Sequence, residues 1–323
     1  MTKPKGVNAL MKYMRDNKGI KIYGSIQKRK LRYMGYFHGY KGYRYHTTSK
    51  KLLPYKDFNE VQAVYNYDME LKTMFYPRIM FLETALKSFA LEEIIAEAGS
   101  KRFADIYSKL MLDYKTYTVG SHEYRQAISK RMSIRNKIYS DIQRDYGKRI
   151  IVNHYYDKDQ PLPIWAIFEL LSLGEFASFI ECLDYKTRRR ISNEIGINKS
   201  FDSDAKLLAM LVYTLKDLRN AVAHNNMIFD TRFKTGKINK RVINCVSREI
   251  GINNFTFNSI VDYVIMIAYI MKLIKAPKTD IMNFIKSFES SYSNLRKEVS
   301  NDIYSLIVYT DTRRKLECLK NFL

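Results

Sequence analysis

Cysteine is scarce in this chain of 323 residues: Cys182, Cys245 and Cys318 lie far apart and form no CxxC pair. That argues against a disulfide-stapled scaffold and a thiolate zinc site, and it fits a reducing cytoplasm. The five histidines are scattered and form no HExxH, so no metal and no other cofactor is expected. Glycine-rich phosphate loops of the GxxxxGK[ST] or GxGxxG kind are missing, which removes the nucleotide-binding folds built on them. No apolar run follows the opening Met-Thr-Lys-Pro-Lys, so no secretory signal is read there. The longest apolar stretch, Ile260–Ile274, is short for a membrane span and contains Asp262. It reads as a buried helix, and no membrane partner is expected. Acid is the last shortage. Residues 1–52 hold one acidic residue, Asp16, against 14 Lys and Arg.

What is present is cationic and folded. The formal charge of +22 points to a polyanion, either nucleic acid or an acidic membrane surface. A hydrophobic share of 46% is that of a packed chain, not a disordered tail. With only 6 Pro and 13 Gly, and with abundant Leu, Ile, Lys and Glu, the composition favours a mainly helical protein. Short helices are expected over Asn8–Asp16 and Ile26–Met34, followed by a Tyr-rich, glycine-punctuated stretch, 33–45, where strand and loop compete with helix. From Asp57 the helical period runs through Val61, Val64, Leu71 and Phe75 to Tyr76. There Pro77 should kink the helix or open a second one, Arg78–Ala98. Ser121–Tyr146 reads as a charged helix. Pro161-Leu-Pro163 opens another, with Trp165, Phe168 and Leu171 facing inward. Lys186–Arg190 reads as a helix end or turn, and helices at Ile260–Ile274, Ile281–Val299 and Asp302–Phe322 close the chain. The expected organisation is a basic, Tyr-rich segment (1–55), a helical core (56–275) and C-terminal helices packed on it (276–323).

The densest chemistry lies in Leu215–Asn226. Leu208, Leu211, Leu215, Leu218 and Val222 recur at steps of three and four, the mark of a buried helical seam ending here. Asn220 and His224 are four apart and share a face, with Arg219 just before them, and Asn225 and Asn226 suit a left-handed helix end. One helix terminus thus offers a guanidinium, an amide and an imidazole to a single phosphodiester. The spacing alone is weak: Arg149 and His154 repeat it within an apolar, β-branched run lacking the Asn, and read as coincidence. On spacing, a purely structural role, with Arg219 and Asn220 bracing helices and His224 ending one, stands level with a functional one.

Three blocks resemble the abortive-infection family of HEPN proteins, the AbiD/AbiF type. They are Leu31-Arg-Tyr-Met-Gly-Tyr-Phe-His-Gly-Tyr40; Val64–Leu71 running into Phe81–Leu86; and Leu162–Trp165 through Leu173-Gly174 to Leu218–His224. They occur in the family's order. The resemblance implies an all-α HEPN-type bundle, a bacterial anti-phage or toxin–antitoxin role, and an R-N-x-x-x-H nuclease motif falling on Arg219, Asn220 and His224. It also implies pairing with a small noncoding RNA. The chain departs from the family pattern at Asn225, where relatives carry a second His, at Lys72, which replaces an Arg, and at Pro77.

RNA carries its own nucleophile, the 2′-hydroxyl, so cleavage needs no metal. An imidazole, with an ordinary pKa near 6.5, can take or give the proton, and Arg offers a planar charged fork to the phosphate oxygens. One histidine cannot easily serve both ends of an in-line displacement, so a homodimer bringing two motifs together is expected. For RNA contact the candidates are Lys28, Arg29, Lys30, Arg32, Tyr36, Tyr40, Lys41 and Arg44, where cations alternate with rings able to stack on unpaired bases. Arg188, Arg189 and Arg190 form a second, weaker basic knot. Two readings stand. One is a metal-independent endoribonuclease that binds substrate RNA and is controlled by a structured noncoding RNA. The other is a catalytically silent scaffold in a stable ribonucleoprotein.

Overall fold

In the computed structural model, which describes residues 6–47 and 49–323, helices follow one another through short loops. They run α1 (Val7–Lys18), α2 (Gly24–Met34), a π-helical turn (Phe37–Lys41), the strands β1 (Tyr45–His46) and β2 (Lys51–Leu52), then α3 (Phe58–Ala98) and α4 (Phe103–Lys109). Next come α5 (His122–Asp145), α6 (Ile150–Tyr156), α7 (Ile164–Leu170), α8 (Leu173–Cys182), α9 (Tyr185–Ile195) and α10 (Leu207–Ala223). The chain finishes with α11 (Lys240–Ile250), α12 (Ile260–Leu273), α13 (Lys278–Glu298), α14 (Asn301–Ile307) and α15 (Thr312–Phe322). The fold is all-α. Its sheet, among the described residues, is the antiparallel β1–β2 pair, with Tyr45 opposite Leu52.

The chain forms two compact units, neither contiguous. The first comprises Met1–Arg78, Asp217–Lys237 and Val246–Leu323; the second comprises Ile79–Lys216 and Ile238–Cys245. The expected boundaries at 55 and 275 follow the chain, whereas the compact units are interleaved along it.

In the first unit α12 is the enclosed helix, and every residue from Ile260 to Met271 is buried. The one charge in that buried stretch, Asp262, accepts from Lys315 Nζ of α15 at 2.9 Å and from the Phe257 N–H at 2.9 Å. Burial raises the Asp262 pKa, and Lys315 opposes that rise. The N-terminal part of α3 buries Phe58, Val61, Val64, Leu71 and Phe75, the expected three-and-four pattern. The second unit has an aromatic centre, where Phe168 of α7 meets Phe176 and Phe179 of α8 at ring separations of 5.6 and 5.2 Å.

Several expectations need correction. Pro77 does not divide α3, which runs unbroken from Phe58 to Ala98 with the exposed proline inside it. At a solvent-facing position the missing N–H is lost from the wet side of the helix, where water can satisfy the freed carbonyl. Trp165 remains 40% exposed, while Phe168 and Leu171 are buried as expected. Of the two readings of Lys186–Arg190 the helix end holds and the turn does not: the stretch opens α9, and Asp184 caps that helix by accepting the Thr187 N–H at 2.9 Å. The stretch Asp302–Phe322 is two helices, α14 and α15. Helix α11 had no counterpart in the sequence reading.

Candidate functional site

The seam of α10 folds as its spacing requires: Leu208, Leu211, Leu215 and Leu218 are buried. Its far end is closed by backbone geometry. Asn225 takes a left-handed conformation (φ 53°), its N–H donates to the Val222 carbonyl at 3.3 Å, and the Asn226 N–H donates to the Ala221 carbonyl at 2.8 Å. These two bonds satisfy carbonyls that a helix end would otherwise leave open. Arg219 is half-buried, and Asn220 and His224 are exposed one turn apart on the same face. The His224 N–H closes the last turn onto the Asn220 carbonyl at 3.0 Å. Arg219 and His224, five residues apart, diverge around the helix, so the guanidinium must reach round to meet the ring.

Behind the motif lies a buried carboxylate. Asp68 of α3 is fully enclosed and takes four donors: the Tyr43 hydroxyl at 2.8 Å, Lys72 Nζ at 2.8 Å, and the N–H groups of Ile228 at 2.7 Å and Phe229 at 2.8 Å. Lys72 also donates to the Asn225 side-chain oxygen at 2.8 Å. The residue after the motif histidine is therefore held from α3 by a charge relayed through one lysine. This gives a physical role to two departures from the family pattern, because Lys72 and Asn225 are partners.

A second clamp joins the N-terminal segment to the same loop. Arg232 donates to the Gly42 carbonyl at 2.7 Å and pairs with Asp230 at 2.7 Å, while Asp230 accepts the Thr47 N–H at 2.8 Å. The Tyr43 ring stacks on Phe229 at 5.6 Å. Sequence reasoning missed Tyr43, Asp230 and Arg232 in these roles. The signal available was the apolar triplet Met227-Ile228-Phe229 between polar residues, the mark of a loop that is buried rather than exposed.

His46 sits under this clamp, 1% exposed, its Nδ1 accepting the Ser49 N–H at 3.1 Å and its ring against Phe229 at 6.0 Å. Burial lowers its pKa; Asp230 acts against that and Arg232 adds to it. The unfolded ring, with a pKa near 6.5, takes up a proton that the folded ring resists, so stability rises with pH through the window below about 6.5 and is lost as pH falls. Urea midpoints should therefore drop between about pH 7.5 and pH 5 by more in the wild type than in His46→Phe. Equal drops would exclude His46 as the source.

The residues expected at the RNA surface divide. Arg29, Arg32 and Lys41 are exposed, and Lys28, Lys30 and Arg44 are half-buried. Tyr40 is only 2% exposed, so it is enclosed rather than available for stacking, and Tyr36 is half-buried at 5.7 Å from it. Open rings in the same segment include Tyr33 at 77%, Tyr23 at 62% and Phe37 at 58%. The basic knot of α9 is paired within the protein. Arg188, 2% exposed, pairs with Asp113 at 2.7 Å; Arg189 donates to the Asp202 carbonyl; Arg190 pairs with Glu93 at 2.6 Å and Glu97 at 3.2 Å. Lys315 of the Arg313–Lys315 run is likewise enclosed with Asp262. Arg149, in the coincidental copy of the motif, precedes the short helix α6 and pairs with Asp145 at 3.0 Å. Among the described residues, no helix is long and apolar enough to cross a membrane.

The family model of Abi-like proteins matches residues 29–230, a span that takes in the second half of α2, all of α3, the α10 motif and the Met227–Asp230 stretch behind it. No curated protein and no solved structure matches the chain.

Proposed function

Since the chain belongs to the Abi-like family, the abortive-infection proteins of bacterial defence, we propose that it is a HEPN-type ribonuclease whose Arg219, Asn220 and His224 cut RNA without a metal. One observation carries this reading: Asn220 and His224 stand exposed on one face of a helix end that Asp68 and Lys72 hold fixed from behind. A solvent-facing imidazole beside an amide has no packing duty there. Buried supports pre-organise it, as catalysis by positioning requires. His224 transfers the proton, Arg219 stabilises the charge that grows on the phosphorane, and Asn220 holds the ribose or the ring. A second copy of the motif, in a homodimer, supplies the acid for the leaving 5′-oxygen. The test is RNA cleavage in excess EDTA with analysis of the product ends, and 2′,3′-cyclic phosphate with 5′-hydroxyl is the expected pair.

RNA reaches the motif over the exposed cations and rings of α2 and the following π-helical turn. Arg29, Arg32 and Lys41 meet phosphates, and Tyr33 and Phe37 stack on unpaired bases. A structured noncoding RNA bound there controls the enzyme. Removing residues 1–52 would be a poor test, because it deletes Tyr43 and the Arg232 clamp along with the charge. The combined substitution of Arg29, Arg32 and Lys41 by Gln is cleaner. It should reduce the slope of log K against log salt by about two, at roughly 0.7 per phosphate contact on single strands. Tyr33→Ala and Phe37→Ala should each weaken binding by about 1–3 kcal/mol and leave the slope unchanged. An unaltered slope in the triple variant removes this surface from RNA binding. Intact RNA binding with no cleavage under any condition identifies the scaffold instead.

A further inference from the structure

Helices α13, α14 and α15 of the first unit line a half-open cavity of about 710 Å³, within the size range of small-molecule sites. It lies outside the span matched by the family model, 29–230, and uses none of the motif residues. Two half-buried tyrosines, Tyr292 of α13 and Tyr304 of α14, line it. Arg296 is exposed and sits over the Tyr304 ring at 5.6 Å; among the described residues it pairs with no carboxylate. Arg313 adds a second cation, held only by an exposed pair with Glu317 at 3.1 Å. Such a pair is worth little and is readily exchanged for a better anion.

Hydroxyls complete the lining. Ser293 and Ser305 are exposed on it, while Thr312 is 3% exposed and its oxygen has no hydrogen-bond partner. Buried hydroxyls are usually paired, and the Thr312 oxygen, enclosed in this wall, is an exception among the described residues. The carboxylates Glu289, paired with Lys320 at 2.6 Å, and Glu317 limit how much negative charge the cavity accepts.

Flat rings, an unpaired guanidinium and a set of hydroxyls match three parts of one ligand: a base, a phosphate and a ribose. We propose that this cavity binds a single nucleotide unit, its base against the tyrosine wall, its phosphate on Arg296 and Arg313, and its sugar among the hydroxyls. The two glutamates favour a monophosphate over a triphosphate. The unit comes either from solution or as one residue of an RNA strand, and the chemistry is shared.

Calorimetric titration of the full chain with AMP, UMP, ATP, inorganic phosphate and a ten-residue oligouridine tests this. Two variants leave the packing intact: Arg296→Ala removes the exposed cation, and Ser305→Trp fills the mouth from an exposed position. Each should weaken AMP or UMP at least tenfold, with AMP tighter than ATP and with the melting temperature unchanged. If only the oligouridine weakens, the unit is a strand residue. The proposal is overturned if neither variant changes any affinity, or if inorganic phosphate binds as tightly as AMP and is lost in the same variants. RNA cleavage at His224 can survive either failure, so the two readings are judged separately.

Discussion

His224→Ala should lower RNA cleavage by about 10²–10⁴-fold, the range carried by one proton-transferring side chain, while the melting temperature stays close to that of the wild type. The second half of that expectation comes from exposure: the imidazole faces solvent and its removal leaves no cavity. Arg219→Lys is the informative companion. It keeps the charge but loses the planar fork, so it should depress turnover more than substrate affinity if the guanidinium acts on the transition state. Undiminished cleavage by His224→Ala, or cleavage that stops when Mg²⁺ is chelated, would end the assignment. Light scattering on the active fraction checks the dimer, because an active monomer would leave the leaving-group proton without a donor.

Asp68→Ala should be the most destabilising single substitution near the motif. It strips two backbone N–H groups, a hydroxyl and an ammonium of their common acceptor and leaves Lys72 charged in a buried place. Breaking a buried pair from one side costs about 3–5 kcal/mol. The same substitution frees the Asn225 end of the helix, so residual activity at low temperature should fall as well. Adding Lys72→Met to Asp68→Ala should restore part of the stability, since the orphaned charge is then gone. A double variant no more stable than the single one would show that the ammonium is not the source of the loss. Denaturant curves for all three chains decide this.

How much of this was visible beforehand differs by element. The seam of α10 and the first half of α3 were legible because apolar spacing reports directly which face a helix buries. Stretch 33–45 was not. Its tyrosines look alike in sequence, yet Tyr43 and Tyr40 are enclosed while Tyr33 is 77% exposed, and Tyr43 is covered by Phe229, more than a hundred positions away. The pairing of the α9 arginines was hidden for a related reason. A run of cations advertises charge, but the acids that neutralise it, Asp113, Glu93 and Glu97, lie tens of positions away in the chain. Asp68 stood in plain view within a quoted block, yet nothing local says that a carboxylate on an apolar helix will gather four donors. Pro77 misled because a proline's effect depends on whether its side of the helix meets water.

The interleaving of the two units also bears on synthesis. Ribosomes release a chain from its first residue to its last, and most of the second unit, Ile79–Lys216, emerges as one stretch. The unit that carries Arg219 and His224 needs both the opening segment and everything beyond Val246. Asp262 cannot meet Lys315 until translation has passed that lysine, so the α12 core of this unit is sealed only after α15 has been made. For the nuclease proposed above, a half-made site would be a hazard to the cell translating it, and the order of the connections postpones its completion until the chain beyond α12 has been made.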